Sequence, residues 1–244
     1  MLIEHLTRHI LNRQKRKNFV LDYKAFVESL KASDRNEFDI KWSDRYPILN
    51  EKTATTTFDA HYVYHTAWAA RIIAETKPVV HVDISSLLYF ATLVSAFVPV
   101  EFYDLRPAKL NLKNLTCKSA NLYDLKFPDN SISSLSCMHV VEHIGLGRYG
   151  DPLDPDGDIK AIRELKRVLA KNGQLLFVVP VGQPKICFNA HRIYSYNQVI
   201  SYFSDLKLCQ FAMVDDKGEF VINPSPSYSN QQKYACGCWW FIRE

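Results

Sequence analysis

Short apolar runs, several of them rich in β-branched residues, alternate with helical segments over most of this chain of 244 residues. Runs that are short and almost continuously apolar are typical of strands buried on both faces of a parallel sheet. The predicted strands of this kind are residues 79–84, 98–104, 132–138 and 174–181, with a weaker candidate at 115–119. Two more strands, 206–214 and 234–242, follow without a clear helix between them. This order predicts a doubly wound α/β sheet with a C-terminal antiparallel hairpin.

Helix signals fill the gaps between these strands. The clearest helix is 158–171, which has one continuous apolar face. Asp158 can cap its start, and the Asn-Gly pair at 172–173 favours a left-handed stop. The remaining helices are predicted at 59–76, at 87–97 with Ser85 or Ser86 as its cap, and from Ser195 to Phe203. Residues 224–230, rich in proline and serine, are predicted to form a surface loop.

The first 57 residues differ in character from the rest of the chain. Apolar residues recur there at helical spacing, and a basic cluster follows them directly. The apolar positions are Leu2, Ile3, Leu6, Ile10 and Leu11, and the basic ones are Arg13, Lys15, Arg16 and Lys17. We therefore predict a helical N-terminal extension, residues 1–57, before an α/β domain at 58–244. The helix either packs on its own domain, which we favour, or makes peripheral contact with a membrane surface.

Charge and hydropathy argue against two classes of protein. The formal net charge of +4 is small and spread along the chain, which argues against a nucleic-acid partner. No apolar run is long enough to span a membrane. The N-terminus carries Glu4 and His5 where a signal peptide would be apolar. We expect a cytoplasmic protein, with membrane contact limited to the N-terminal helix.

The cysteines and histidines predict no metal site. Cys236 and Cys238 form C-x-C, and no second pair stands at the spacing of a zinc ribbon. Most of the six cysteines lie in strand-like apolar runs, where a reduced cysteine packs as a small hydrophobic residue. His61 and His65 are four residues apart on a predicted helix, but the sequence offers no third ligand beside them. We therefore predict reduced structural cysteines and packing histidines.

Four segments carry a resemblance to a known family. They are VVHVDI at 79–84, LKFPDNSISSLSCMHVVEHI at 125–144, IRELKRVLAKNGQLLFVVPVG at 162–182 and HRIYSYNQVISYF at 191–203. Together they resemble the class I S-adenosylmethionine (SAM)-dependent methyltransferases, over about residues 60–244. More narrowly, the pattern resembles a divergent bacterial branch that is associated with cell-surface polysaccharide biosynthesis. The resemblance implies a Rossmann-like sheet, with SAM as the cofactor.

The resemblance also implies where a cofactor would lie. In doubly wound sheets a ligand binds at the carboxyl ends of the strands, near the point where strand order reverses. By comparison with the family, the cofactor-binding residues are Asp83, Ser85, Ser86, Asp104 and Asn121. Asp104 would accept hydrogen bonds from the ribose hydroxyls, and Asn121 would lie near the adenine. The loop at 83–88 lacks the family's glycines, so it either binds SAM in a shifted conformation or has abandoned SAM.

Histidine and carboxylate side chains cluster at the end of one predicted strand. His139, Glu142 and His143 formally match H-x-x-E-H, the inverted zinc-peptidase signature. That signature needs a helix, whereas here it leaves a strand, contains two valines and is followed by glycines, so we reject the peptidase interpretation. In a loop, these side chains can supply a general base and its orienting carboxylate. His191 and Arg192 complete the predicted catalytic set, with Arg192 either holding an anionic substrate or bracing the preceding loop.

The loop at 145–158 contains four aspartates together with glycines and prolines. Its candidate substrate-contacting residues are Arg148, Tyr149, Asp151, Asp154 and Asp156. The loop either acts as a lid, binds a polyhydroxylated substrate or holds a divalent cation, or it uses its aspartates for turns and caps. It lacks the residue order of an EF-hand. Its length and its two prolines favour a functional loop.

Three functions follow from these observations. The leading hypothesis is an enzyme that transfers a methyl group from SAM to a saccharide or related small molecule in cell-surface polysaccharide biosynthesis. The second is a non-methylating module of the same fold that binds a glycan or a glycosyltransferase partner. The third is a metal-assisted glycan-processing enzyme that uses the loop at 143–158.

Overall fold

The computed structural model of the protein describes residues 2–35 and 37–244, and residues 2–10 by their backbone alone. The chain packs as two compact units, Met1–Thr57 and Phe58–Glu244. The first contains helix α1 (Leu2–Lys31) and a 3₁₀ turn at Trp42–Asp44. The apolar face predicted from Leu2 to Ile10 lies outside the described side chains. In the described part of the chain, no helix is long and apolar enough to cross a membrane.

The second unit contains ten strands and five helices. The strands are β1 (His81–Ile84), β2 (Val100–Asp104), β3 (Leu115–Ser119), β4 (Ile132–Met138), β5 (Leu169–Val181), β6 (Lys185–Cys187), β7 (His191–Ile193), β8 (Lys207–Val214), β9 (Phe220–Ile222) and β10 (Ala235–Ile242). The helices are α2 (Ala60–Thr76), α3 (Leu88–Val94), α4 (Gly157–Val168), α5 (Tyr196–Tyr202) and α6 (Pro226–Asn230).

Eight of these strands form one sheet in the order β3-β2-β1-β4-β5-β10-β8-β9. Strands β1 to β5 run parallel to one another, and β10 is antiparallel to both β5 and β8. The predicted doubly wound sheet with a C-terminal antiparallel hairpin is confirmed. The short ribbon of β6 and β7 was not predicted, because three-residue strands leave no periodic signal.

The strand order reverses at β1, which pairs with β2 on one side and β4 on the other. The carboxyl ends of these three parallel strands therefore meet at one edge of the sheet, which is where a doubly wound fold binds its ligands. Residues Ser85, Leu105 and His139 directly follow the three strands.

Both faces of the sheet are covered. On one face Trp239, Phe177 and Phe203 belong to the same buried cluster as the apolar side of α4. On the other face Trp68 of α2 and Phe90 of α3 lie in a second buried cluster. Trp239 is part of this core, and its side chain is fully buried.

Several predicted element ends were wrong. Helix α4 ends at Val168, and β5 begins at the next residue, so Asn172 takes its left-handed φ of 58° inside a strand. Asp156 holds the cap position of α4, while Asp158 is buried in its first turn.

The cap of α3 was also predicted wrongly. Helix α3 starts after Leu87 without a side-chain cap, so Ser85 and Ser86 are free for other contacts. The predicted surface loop at 224–230 contains α6, which Ser225 caps.

A chain of buried hydrogen bonds crosses the sheet beneath its ligand-binding edge. Gln174 Nε2 lies 3.1 Å from Ser134 Oγ, and Ser134 Oγ lies 2.8 Å from His81 Nδ1. His81 Nε2 lies 2.9 Å from Ser136 Oγ, which donates to Asp83 Oδ1 at 2.7 Å. The direction of the last bond makes His81 Nε2 the protonated ring nitrogen and Nδ1 an acceptor. Burial lowers the pKa of His81 to about 3, so the ring is neutral and the network is structural.

Asp83 should make the stability of the protein depend on pH. Burial raises the pKa of Asp83 to about 7, against the opposing hydrogen bonds of Ser86 and Ser136. A raised folded-state pKa in an acid stabilises the folded state at low pH, and this stability is lost as pH rises through about 7. Between pH 5 and 8, the free energy of unfolding should fall by about 2 to 3 kcal/mol more in the wild type than in Asp83→Asn. Urea denaturation across this range measures the difference, and parallel curves would contradict the assignment.

Candidate functional site

The loop after β1 keeps a left-handed turn without any glycine. Ser85 has a φ of 55°, a conformation that glycine adopts at no steric cost. Its backbone N–H and its Oγ both donate to the carbonyl oxygen of Tyr103, at 2.6 and 3.0 Å. Ser86 Oγ accepts the N–H of Met138 at 3.1 Å, which ties the loop to β4. These hydrogen bonds offset the strain of the turn, on the order of 1 kcal/mol.

A first cavity of about 320 Å³ opens where β1, β2, β3 and β4 end. Ser85 forms part of its wall, together with Asp104 and Asn121. Asp104 Oδ1 accepts the N–H of Arg106 at 2.7 Å, and no described residue donates to its second oxygen. Asn121 Oδ1 accepts the N–H of Tyr123 at 2.9 Å, which leaves its amide nitrogen toward solvent. The cavity therefore offers an acceptor and a donor on its polar side.

A second cavity of about 350 Å³ adjoins the first. The two share Ser85, His139, His143 and Tyr149 as lining residues. The second is also lined by polar and aromatic side chains from distant parts of the unit, namely His61, Tyr62, Glu142, Arg148, His191 and Tyr234. Adjoining cavities at this edge suit a cofactor in one and an acceptor in the other.

The turn after β4 delivers a histidine and a buried carboxylate. His139 has a φ of 58°, and Val141–His143 form a 3₁₀ turn. His139 Nδ1 lies 2.9 Å from Glu142 Oε1, and its Nε2 lies 3.3 Å from Cys236 Sγ. Burial opposes protonation of His139, but Cys236 and Glu142 beside it raise its pKa above the usual histidine value. Both ring nitrogens of His139 are therefore engaged inside the protein.

His143 presents a free ring nitrogen. Its Nδ1 lies 2.6 Å from the carbonyl oxygen of Ala190, so this nitrogen carries the proton and donates it. Its Nε2 is left as the acceptor, 3.7 Å from Glu142 Oε1. Nearby, burial lowers the pKa of His191, which favours its neutral form.

Sequence reasoning missed part of this site. Tyr62 and Tyr234 were not singled out, and His61 was interpreted as a packing residue. The rings of His61 and Tyr234 lie 5.3 Å apart, and Tyr234 also faces His191 at 4.8 Å. The spacing of His61 and His65 on one helix was the available signal. Nothing in the sequence brings β10 next to that helix.

Comparisons with known proteins bear on the fold. Residues 111–217 match a family model described as a Caenorhabditis protein of unknown function, DUF268. A sequence comparison with curated proteins finds no match. Among solved structures, the YcgJ protein from Bacillus subtilis has 14% identity and a TM-score of 0.50, over 73% of this chain and 99% of its own.

Two further solved structures contain bound S-adenosylhomocysteine (SAH). One is 1,6-didemethyltoxoflavin-N1-methyltransferase from Burkholderia thailandensis, with 11% identity, a TM-score of 0.52 and coverage of 74% of this chain and 78% of its own. The other is N-methyltransferase NodS from Bradyrhizobium japonicum, with 12% identity, a TM-score of 0.50 and coverage of 75% and 87%. This chain has the class I methyltransferase fold. The predicted resemblance is confirmed at this level, and the bacterial branch stays a prediction.

Within this methyltransferase fold, the predicted cofactor residues fall into three places. Ser85, Asp104 and Asn121 line the first cavity, and Ser86 lines the second. Asp83 lines neither, because it is fully buried under the loop in the hydrogen-bond chain described above. Asp83, near the end of β1, therefore supports the following loop from inside the fold.

Arg192 lies outside both cavities. Its side chain is buried and donates to the carbonyl oxygens of Ile144 at 2.6 Å and Pro155 at 3.2 Å. Its Nε also lies 3.5 Å from Asp158 Oδ2, and Tyr194 donates to the same oxygen at 2.8 Å. The structure thus favours the bracing role for Arg192 over the anion-holding role.

The aspartates of the 145–158 loop also serve local structure. Asp151 accepts the N–H groups of Gly145 and Tyr149, and Asp154 pairs with Lys160 at 2.7 Å. Asp156 stands at the cap position of α4. Asp151 and Asp154 have separate partners, and among the described residues the aspartates of this loop form no group spaced to hold a cation. Arg148, Tyr149 and Asp151 are the predicted loop residues that reach the cavities.

Replacing Arg192 should loosen this loop selectively. Arg192→Met leaves buried carbonyl oxygens without a donor and buried Asp158 without its cationic partner, so it should lower the free energy of unfolding by about 3 kcal/mol. Amide exchange at Gly145 and Asp154 should accelerate more than in the sheet. Arg163→Met, an exposed position of α4, is the matched control and should change stability by about 0.5 kcal/mol or less. Equal effects of the two substitutions would contradict the bracing role.

Proposed function

We propose that the protein is a SAM-dependent methyltransferase that acts on a small, hydroxyl-bearing acceptor. The observation that carries the proposal is the first cavity, which lies at the strand-order reversal and exposes an uncommitted oxygen of Asp104. Two proteins of the same fold bind SAH. The cavity volume falls in the range of small-molecule sites, about 300 to 1,000 Å³.

The residues present fit the nucleoside part of SAM. An acid at the end of the second strand is suited to the hydroxyls of a ribose, as in dinucleotide-binding relatives of this topology. Ser85 forms the left-handed turn in the cavity wall without a glycine. Asn121 and Ala120 line the cavity beyond Asp104, on the side where the base would extend.

The protein groups that take part in the methyl transfer would lie in the second cavity. When bound, SAM supplies an electrophilic methyl group on a sulfonium centre. His143 Nε2 is placed to accept the proton of an acceptor hydroxyl, because its Nδ1 is fixed by Ala190. Glu142 stabilises the positive charge that this histidine then carries. The guanidinium groups of Arg106 and Arg148 lie 5.1 and 5.2 Å from the ring of Tyr149, which lines both cavities.

The acceptor in this proposal is a saccharide or a related polyhydroxylated molecule. The second cavity supports this choice through its mixture of aromatic rings and hydrogen-bonding groups, among them Tyr62, Tyr234 and His191. A role in cell-surface polysaccharide biosynthesis rests on the sequence resemblance.

Calorimetric titration with SAH tests the cofactor half of the proposal. The wild type should bind SAH with one site per chain, and Asp104→Asn should weaken binding about 10- to 100-fold, since it removes charge-assisted hydrogen bonds to the ribose. Asp129→Asn is the matched control, because Asp129 is an exposed acid paired with Arg167. A folded wild type that gives no heat with SAH would overturn the proposal in favour of a non-methylating module.

Transfer of a labelled methyl group tests the catalytic half. With SAM and a panel of nucleotide sugars as acceptors, His143→Gln should lower the turnover rate by about 10² to 10⁴. It should leave SAH affinity within about twofold, because Nε2 lies beside Glu142, which lines the second cavity and not the first. Unchanged turnover in the variant would remove His143 from the proposed role.

A further inference from the structure

Three side chains that are distant in sequence converge beside the second cavity. His61 comes from the first turn of α2, His139 from the turn after β4, and Cys236 from β10. One nitrogen or sulfur atom from each lies within 4.8 Å of the other two. Among the described residues, this is the one group of three potential metal ligands that lie so close together. Helix α2, the turn after β4 and strand β10 each pack into the fold on their own. The three side chains are therefore close together without a bound ion.

The spacing suits a tetrahedral cation. His139 Nε2 and Cys236 Sγ are 3.3 Å apart. Two such ligands on one zinc ion, at about 2.1 Å for nitrogen and about 2.3 Å for sulfur, stand roughly 3.5 Å from each other. The ring of His61, on α2, lies parallel to that of His139 with centroids 6.1 Å apart, and one of its nitrogens lies within 4.8 Å of the ligand atoms of the other two residues.

Groups around the cluster complete the pattern of a metal centre. Glu142 Oε1 binds Nδ1 of His139 at 2.9 Å and so directs Nε2 of the same ring toward Cys236. A carboxylate behind a ligating histidine is the usual outer partner of a metal. Glu142 is 1% exposed, and its second oxygen has no hydrogen-bond partner. A divalent cation held by His139 would place a positive charge beside this buried carboxylate.

We propose that His61, His139 and Cys236 bind one zinc-type divalent cation. Two imidazoles and one thiolate suit zinc and disfavour magnesium and calcium, which take oxygen ligands. His61 and His139 line the second cavity, so the fourth position of a tetrahedral ion faces that cavity. Three protein ligands and one open position are typical of zinc that contacts a substrate or water. The site goes beyond the proposed methyl transfer and does not depend on SAM binding.

The sequence could not reveal this site. The spacing of His61 and His65 suggested a helical pair of ligands. His65 instead packs beneath the cluster, with its Nδ1 2.7 Å from the carbonyl oxygen of His61. The C-x-C pair also misled, because Cys236 reaches the histidines while Cys238 does not belong to the group. The ligands come together only because β10 inserts beside β5.

Metal analysis of the full chain tests the proposal. Protein purified without a polyhistidine tag, stripped with a chelator and titrated with zinc against a chromophoric competitor should bind one equivalent. Cobalt(II) should give visible bands of a tetrahedral site and a thiolate-to-cobalt charge-transfer band in the near ultraviolet. Less than one tenth of an equivalent of zinc at saturation, in protein that is folded by circular dichroism, would overturn the proposal.

Matched variants locate the site. Cys236→Ser should abolish the charge-transfer band and stoichiometric binding, while Cys238→Ser, buried two residues away on the same strand, should keep both. His61→Gln should also lose stoichiometric binding, and Glu142→Gln should weaken zinc binding about 10- to 100-fold. A charge-transfer band that survives in Cys236→Ser would refute the assignment. SAH titration of the zinc-free protein separates this result from the fate of the proposed methyl transfer.

Discussion

The two hydrogen bonds from Ser85 to the carbonyl oxygen of Tyr103 fix the end of β1 against β2. They hold a serine in a backbone conformation that normally requires glycine, and they thereby set the shared wall of both cavities. Because β1 is also paired with β4, this anchor positions the turn that carries His139. The first cavity and the histidine cluster depend on these hydrogen bonds. So does the proposal that the cofactor binds in one cavity and the acceptor in the other.

A layer of buried polar groups lies beneath this turn and has a structural role. Asp83 and His81 are both fully buried, and serines of β4 form hydrogen bonds with them. Burial raises the pKa of Asp83, so its charge is not a fixed feature of the site at neutral pH. Asp104, at the end of the neighbouring strand, is the acid that reaches the cavity. The two acids therefore differ in role although each ends or nearly ends a strand.

The sequence predicted well what depends on local periodicity and strand order. Buried strands such as 174–181 are recognisable by composition, and the carboxyl ends of parallel strands must share an edge, so Asp104 and His139 could be placed near each other. It failed where partners come from distant elements. For Arg192 the sequence left two roles open and could not show that its partners are the carbonyl oxygens of Ile144 and Pro155. Nothing local shows that Cys236 would face His61. The contact of Cys236 exists only once β10 has been inserted into the sheet.

A crystal structure of the protein with SAH tests the central claim, that the glycine-free turn still forms a nucleoside cavity. The account predicts density for adenosine in the first cavity, with the ribose hydroxyls on the free oxygen of Asp104 and Ser85 still in its left-handed conformation. An SAH molecule bound elsewhere, or a first cavity that stays closed to it at saturating concentration, would contradict the account.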